Sequence, residues 1–163
     1  MRRLAFLFCC AVVVACATQQ VGAADADPLN GTWYLNPGMS RFHAGPAVLK
    51  QTRTYEVSAD TVKQTQEGVD AAGKPTHSSF TAKYDGKDYP ITGNPDADTI
   101  AVKRVDKNTA RSVLRKNGKV VQTTVRRMGK NGKTVTFKTQ GTNARGERID
   151  YELVFGREPP AQE

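Results

Sequence analysis

Past residue 16 the chain has no cysteine, so nothing downstream can form a disulfide or a thiolate metal site. All three cysteines, Cys9, Cys10 and Cys16, fall in the first sixteen of 163 residues. Histidine is nearly missing too: His43 and His77 stand far apart, with no cysteine near either, which argues against a zinc centre. No segment after the leader sustains a helical period for more than a turn or two, so bundles and α/β folds are excluded. No block of about five or more like charges occurs, which excludes a polyelectrolyte tail. Gly-X-Ser-X-Gly is absent, and Gly132-Lys133-Thr134 has the end of a phosphate loop with Arg127 where its first glycine belongs. Asp85, Asp88, Asp96 and Asp98 lack the spacing of a calcium loop and read as solvated turn residues. With no convergent acid, base or nucleophile, the expectation is a protein that is not an enzyme and carries no metal or cofactor.

What is present begins with a leader. Arg2-Arg3, an apolar run from Leu4 to Ala17 and small residues through Ala26 make a secretory signal, the run being shorter than the ~20 residues of a membrane span. Two cleavage chemistries fit it. Val21-Gly22-Ala23 and Ala24-Asp25-Ala26 offer the small residues of a signal-peptidase site, releasing a soluble periplasmic or secreted chain. Val13-Val14-Ala15-Cys16 resembles a lipobox, in which Cys16 would be acylated and anchor the chain to a membrane. The small-residue site lies properly beyond the apolar run, which favours the soluble product. Residues 1–24 are thus read as signal peptide, 25–157 as one domain and 158–163 as a frayed end.

The domain is a succession of short alternating segments separated by turns, which predicts an all-β fold. Strands are expected at 31–35, 51–58, 61–67, 76–84, 99–105, 109–116, 119–128, 134–141 and 147–155. Asn117-Gly118 and Asn131-Gly132 supply the positive φ of tight hairpins, so consecutive strands form an antiparallel up-and-down meander. About nine such strands suffice to close a barrel or curl a sheet strongly. Charge is unevenly spread along it. The chain carries a net charge of +8, which falls to +6 without Arg2 and Arg3, and the stretch from Lys107 to Arg145 contains no Asp or Glu.

Alternation assigns faces. Phe80 with Tyr84, Val121 with Val125, Val135 with Phe137, and Ile149, Tyr151, Leu153 with Phe155 are expected inside. By the same parity Arg53 accompanies Tyr55, Gln64 and Gln66 accompany Val62, and Arg127 accompanies Val125, so the inward set is partly polar. These polar groups either line a cavity or sit at its rim in water. Arg111, Arg115, Arg126 and Lys138 are expected outside on neighbouring strands, as a basic patch for an anionic lipid or polysaccharide surface, or simply as a solubilising face. No aromatic interleaves that face, and nucleic acid is not an expected partner.

Gly31-Thr32-Trp33, Asn36-Pro37, Ser40-Arg41-Phe42, the stretch from Glu67 to Pro75 and the stretch from Tyr84 to Thr99 resemble small exported bacterial proteins called lipocalin-like, of the calycin type. The resemblance runs from Gly31 to about Phe155 and brings no activity with it. It implies a barrel whose first-strand Trp33 plugs the closed end beneath an arginine, by position Arg157. The second lipocalin motif is not evident at Ala97-Asp98-Thr99, and no C-terminal helix is seen. Two functions follow as expectations. One is a monomeric carrier of an amphipathic or anionic small molecule, walled by Trp33, Tyr55, Phe80, Tyr84, Phe137 and Tyr151, with Arg53 or Arg127 on the acid head. The other is a non-catalytic envelope module adhering through Arg111, Arg115, Arg126 and Lys138 to an acidic surface or partner protein.

Overall fold

A computed structural model describes residues 27–160; the leader, its two cleavage sites and Cys16 lie outside the described residues. Eleven strands follow one another: β1 (Gly31–Leu35), β2 (Arg41–Ala44), β3 (Lys50–Val57), β4 (Thr61–Val69), β5 (Pro75–Lys83), β6 (Asp85–Thr92), β7 (Thr99–Arg104), β8 (Thr109–Lys116), β9 (Lys119–Met128), β10 (Thr134–Thr142) and β11 (Arg148–Gly156). From β3 to β11 each strand pairs with the next, always antiparallel. Closure comes from β1, which pairs with β3 through Gly31 to Tyr34 and with β11 through Tyr34 and Leu35. The result is a ten-stranded closed barrel, so the all-β meander expected from alternation is correct.

The eleventh strand explains itself locally. Pro37 sets the φ of a single 3-10 turn, and the Asn36 carboxamide accepts from the Met39 amide at 3.1 Å. The chain bends there and resumes as β2, whose Phe42 and Arg41 lie opposite Tyr151 and Glu152 of the same β11. β1 and β2 are therefore two halves of one bent strand. Both β2 and β6 were missed by alternation: β2 has four residues, and β6 contains Gly86 and Pro90 and a bulge between Asp85 and Asp88.

One end of the barrel is plugged. Leu29, Trp33, Val135 and Phe155 are its most deeply buried side chains. The Trp33 indole N–H donates to the Leu29 carbonyl at 2.8 Å, and the Arg157 guanidinium lies 3.7 Å over the ring. Arg157 also donates to the Asn30 carbonyl at 2.7 Å and to that of Pro28, while Asp27 pairs with Arg104 at 3.0 Å. Residues 27–30 are thus strapped across this end by hydrogen bonds to their backbone carbonyls, of which that of Leu29 is buried. The loops β2–β3, β4–β5, β6–β7, β8–β9 and β10–β11 surround the other end.

Candidate ligand-binding cavity

Inward side chains leave a cavity of about 360 Å³ in the barrel, which opens between the loops of the unplugged end. That volume is in the range of small-molecule sites, about 300–1,000 Å³. One wall is apolar, built from Ile100, Leu114, Phe137, Ile149 and Leu153. The facing wall of β3, β4 and β5 carries Gln51, Gln64, Gln66 and Ser78 among its cavity residues. Gln64 stands opposite both Tyr55 and Phe80, so these amides belong to the lining and not to the rim.

Arg53 is the unusual group. It is half-buried inside the barrel, and its Nε donates to the side-chain amide oxygen of Gln51 at 3.1 Å. Its guanidinium lies 4.2 Å over the Phe137 ring and 4.7 Å from the Phe155 centroid. No carboxylate pairs with it among the described residues. Removal from water pushes its pKa down, opposed by Tyr55, yet an arginine stays charged at neutral pH. Burial in turn raises the Tyr55 phenol, with Arg53 and Arg126 pulling it back. Beside them the Tyr84 hydroxyl is buried with no hydrogen-bond partner. Ring stacking offsets part of the desolvation of a guanidinium but does not neutralise it.

The expected site is partly redrawn. Arg53, Tyr55, Phe80, Tyr84, Phe137 and Tyr151 all line the cavity. Trp33 does not: it is sealed in the plug, below the cavity. Arg127 is a second correction, being exposed on the outer face with Val125, while Arg126 points inward opposite Phe137 and Ala110. The cause is a one-residue bulge. After the Asn117-Gly118 turn, Arg115 pairs with Val120, but Leu114 then pairs with Gln122, leaving Val121 as an extra residue on β9. A regular ladder would place inward Leu114 opposite Val121 and so bring Val125 inside; the bulge reverses the remainder of the strand. Parity along β9 alone carries no sign of it, although Gly141 across the ladder does. A Cβ there would collide with the Val121 carbonyl oxygen.

The bulge also removes Arg126 from the expected basic patch, and ion pairs occupy two of the others. Of its four members Arg126 is in the cavity, Arg115 is paired with Asp88, and Lys138 pairs with Glu152 at 3.0 Å. Arg111 remains exposed, beside Lys103 across the β7–β8 ladder.

No family model matches the chain, and no curated protein does. Among solved structures, a redesigned β-barrel, mFAP1, in complex with DFHBI aligns with 81% of this chain and 97% of its own, at 14% identity and a TM-score of 0.45.

Proposed function

We propose that this chain is an exported, lipocalin-like binding protein that takes an amphipathic small molecule into its barrel, acid head inward. The observation that supports this is Arg53: a permanent cation enclosed among rings, with no carboxylate of its own, beside a cavity that has an apolar wall. Such a group gains most from a ligand that arrives with the missing negative charge. Export rests on the leader, whose Arg2-Arg3 and apolar run have the form of a secretory signal. The reading is of binding and not of turnover.

The test is native mass spectrometry of the protein purified from its own host, together with titration by a fluorescent fatty acid. A co-purifying acidic amphiphile, or saturable fatty-acid binding lost in Arg53→Gln, is the expected result. The absence of both a co-purifying amphiphile and fatty-acid binding would overturn the proposal. Adhesion to an acidic surface through Arg111, Arg115, Arg126 and Lys138 is not favoured, since these four do not share a face.

A further inference from the structure

The cavity holds a second cation that the ligand must answer. Arg126 enters it from β9, opposite Phe137, the ring over which the Arg53 guanidinium stacks. Both guanidiniums act electrostatically on the Tyr55 phenol. Like Arg53, Arg126 has no carboxylate partner among the described residues. The Tyr84 hydroxyl, buried and without a partner, also interacts with Tyr55, and so belongs to the same cluster. The Arg104 guanidinium against the Tyr84 ring is already paired with Asp27.

The carboxylates that border the cavity are at its mouth, and backbone amides hold them there. Asp70 accepts from the Ala72 and Lys74 amides, each at 2.9 Å. Asp96 accepts from the Ala144 amide at 2.7 Å and from the Gln122 side chain at 3.5 Å. Two cations and an unsatisfied donor therefore converge with no internal anion, and a single carboxylate would leave one guanidinium unbalanced in a partly dehydrated site.

We infer that this cluster is built for a doubly charged acid head, a phosphate monoester or a dicarboxylate, borne on an apolar body. The inference rests on the binding function proposed above and narrows it. Two guanidinium forks and a hydroxyl match an oxyanion with several acceptor oxygens, and the apolar wall from Leu114 to Leu153 receives the body.

Calorimetry with octyl phosphate, octanoate, octanol and inorganic phosphate at pH 8 separates the possibilities. Octyl phosphate is expected to bind about tenfold or more tightly than octanoate, since the second charge adds charge-assisted hydrogen bonds. Octanol and inorganic phosphate, lacking the head and the body respectively, bind more weakly than either. The preference shrinks as pH falls through the second phosphate pKa near 6, where the head becomes a monoanion. Arg126→Gln and Tyr84→Phe bring octyl phosphate close to octanoate, Arg126→Lys retains most of the preference, and Lys103→Gln on the outer face changes nothing. Equal binding of octyl phosphate and octanoate, with octanol weaker, overturns the dianion and leaves the binding function standing. Inorganic phosphate binding as tightly as octyl phosphate overturns the apolar-body requirement. Absence of binding by all four overturns both readings. Because the head-group comparison uses the unaltered protein, a variant that fails to fold does not blunt it.

Discussion

A half-buried guanidinium facing aromatic rings instead of a carboxylate burdens the fold in every molecule that holds no ligand. Arg53 is in that position, and its hydrogen bond to Gln51 and its two ring contacts compensate only part of its lost hydration. Arg53→Met keeps comparable length and packs against the same rings without charge. The expected outcome is a protein more stable by about 1–2 kcal/mol, read as a higher urea midpoint at unchanged slope, and, on the function proposed above, one that does not favour acids over neutral amphiphiles. A variant that is less stable yet still selects acids would contradict the role given to Arg53. This residue was legible in the sequence, because parity on β3 is unbroken from Gln51 to Val57 and Arg53 alternates with Tyr55. Arg126 was not, although it carries the same side chain on an equally regular-looking segment.

At the scale of the strand, the difference between those two arginines is a single extra residue. Val121 is unpaired in the β8–β9 ladder, and its carbonyl oxygen occupies the space where a side chain on residue 141 would begin. Gly141 also has φ +151°, a conformation disfavoured for residues with a Cβ. Gly141→Ala is therefore expected to destabilise by roughly 2–4 kcal/mol, as strain at a special backbone position does. Deleting Val121 straightens β9 without changing which residues oppose Leu114 and Ala110, so Arg126 stays inward and the barrel folds. In that shortened strand Gly141→Ala costs much less, and the two changes are non-additive in a double-mutant cycle of denaturation midpoints. Additive effects would mean that Gly141 serves something other than the bulge. The same scale accounts for the strands that alternation missed. β2 has only four residues and β6 is interrupted by Gly86 and Pro90, so neither carries a period long enough to read, and both are held by the neighbours they pair with. Asn117-Gly118, by contrast, was legible outright, since φ values of 52° and 74° are those a two-residue hairpin demands. Asn131-Gly132 forms a hairpin too, but in a five-residue loop in which Gly132 donates back to the Gly129 carbonyl at 2.9 Å.

For the molecule as a whole, the two ends of the barrel are held by different chemistry. The plugged end is closed by burial and by Arg157 on Trp33, neither of which titrates near neutrality. The mouth is held in part by Tyr151, whose hydroxyl donates to the Pro46 carbonyl at 2.6 Å and whose ring meets Phe42 edge-on at 5.3 Å. Burial, and then Asp96 and Glu147, push the Tyr151 phenol up to about 12, against about 10 in an unfolded chain. The folded state thus keeps a proton that the unfolded state gives up. This contribution to stability is complete below pH about 10 and is lost as pH rises to about 12. Urea midpoints measured from pH 9 to 12 should fall across that window, and in Tyr151→Phe the fall should be shallower, the remainder coming from Tyr55 and Tyr89, whose phenols desolvation also raises. An unchanged slope in Tyr151→Phe would dissociate Tyr151 from the alkaline transition.

The amino-acid order was enough for the class of fold, because alternation of two and turns rich in Asn-Gly are properties of neighbouring residues. It was enough as well for Arg53, Tyr55, Phe80, Phe137 and Tyr151 as inward groups, each on a strand regularly paired with its ladder neighbours, and for Tyr84, which continues the phase of β5 into the turn that follows it. The composition of the cavity depended on contacts between residues far apart along the chain. Closure of β1 onto β11, the strap of residues 27–30 that removes Trp33 from the cavity, and the bulge at Val121 that exchanges Arg127 for Arg126 all depend on cross-strand register. A pleated strand shows the same pattern of residues in either phase, so which arginine faces inward depends on the partner strand, in which Gly141 makes room for one extra carbonyl.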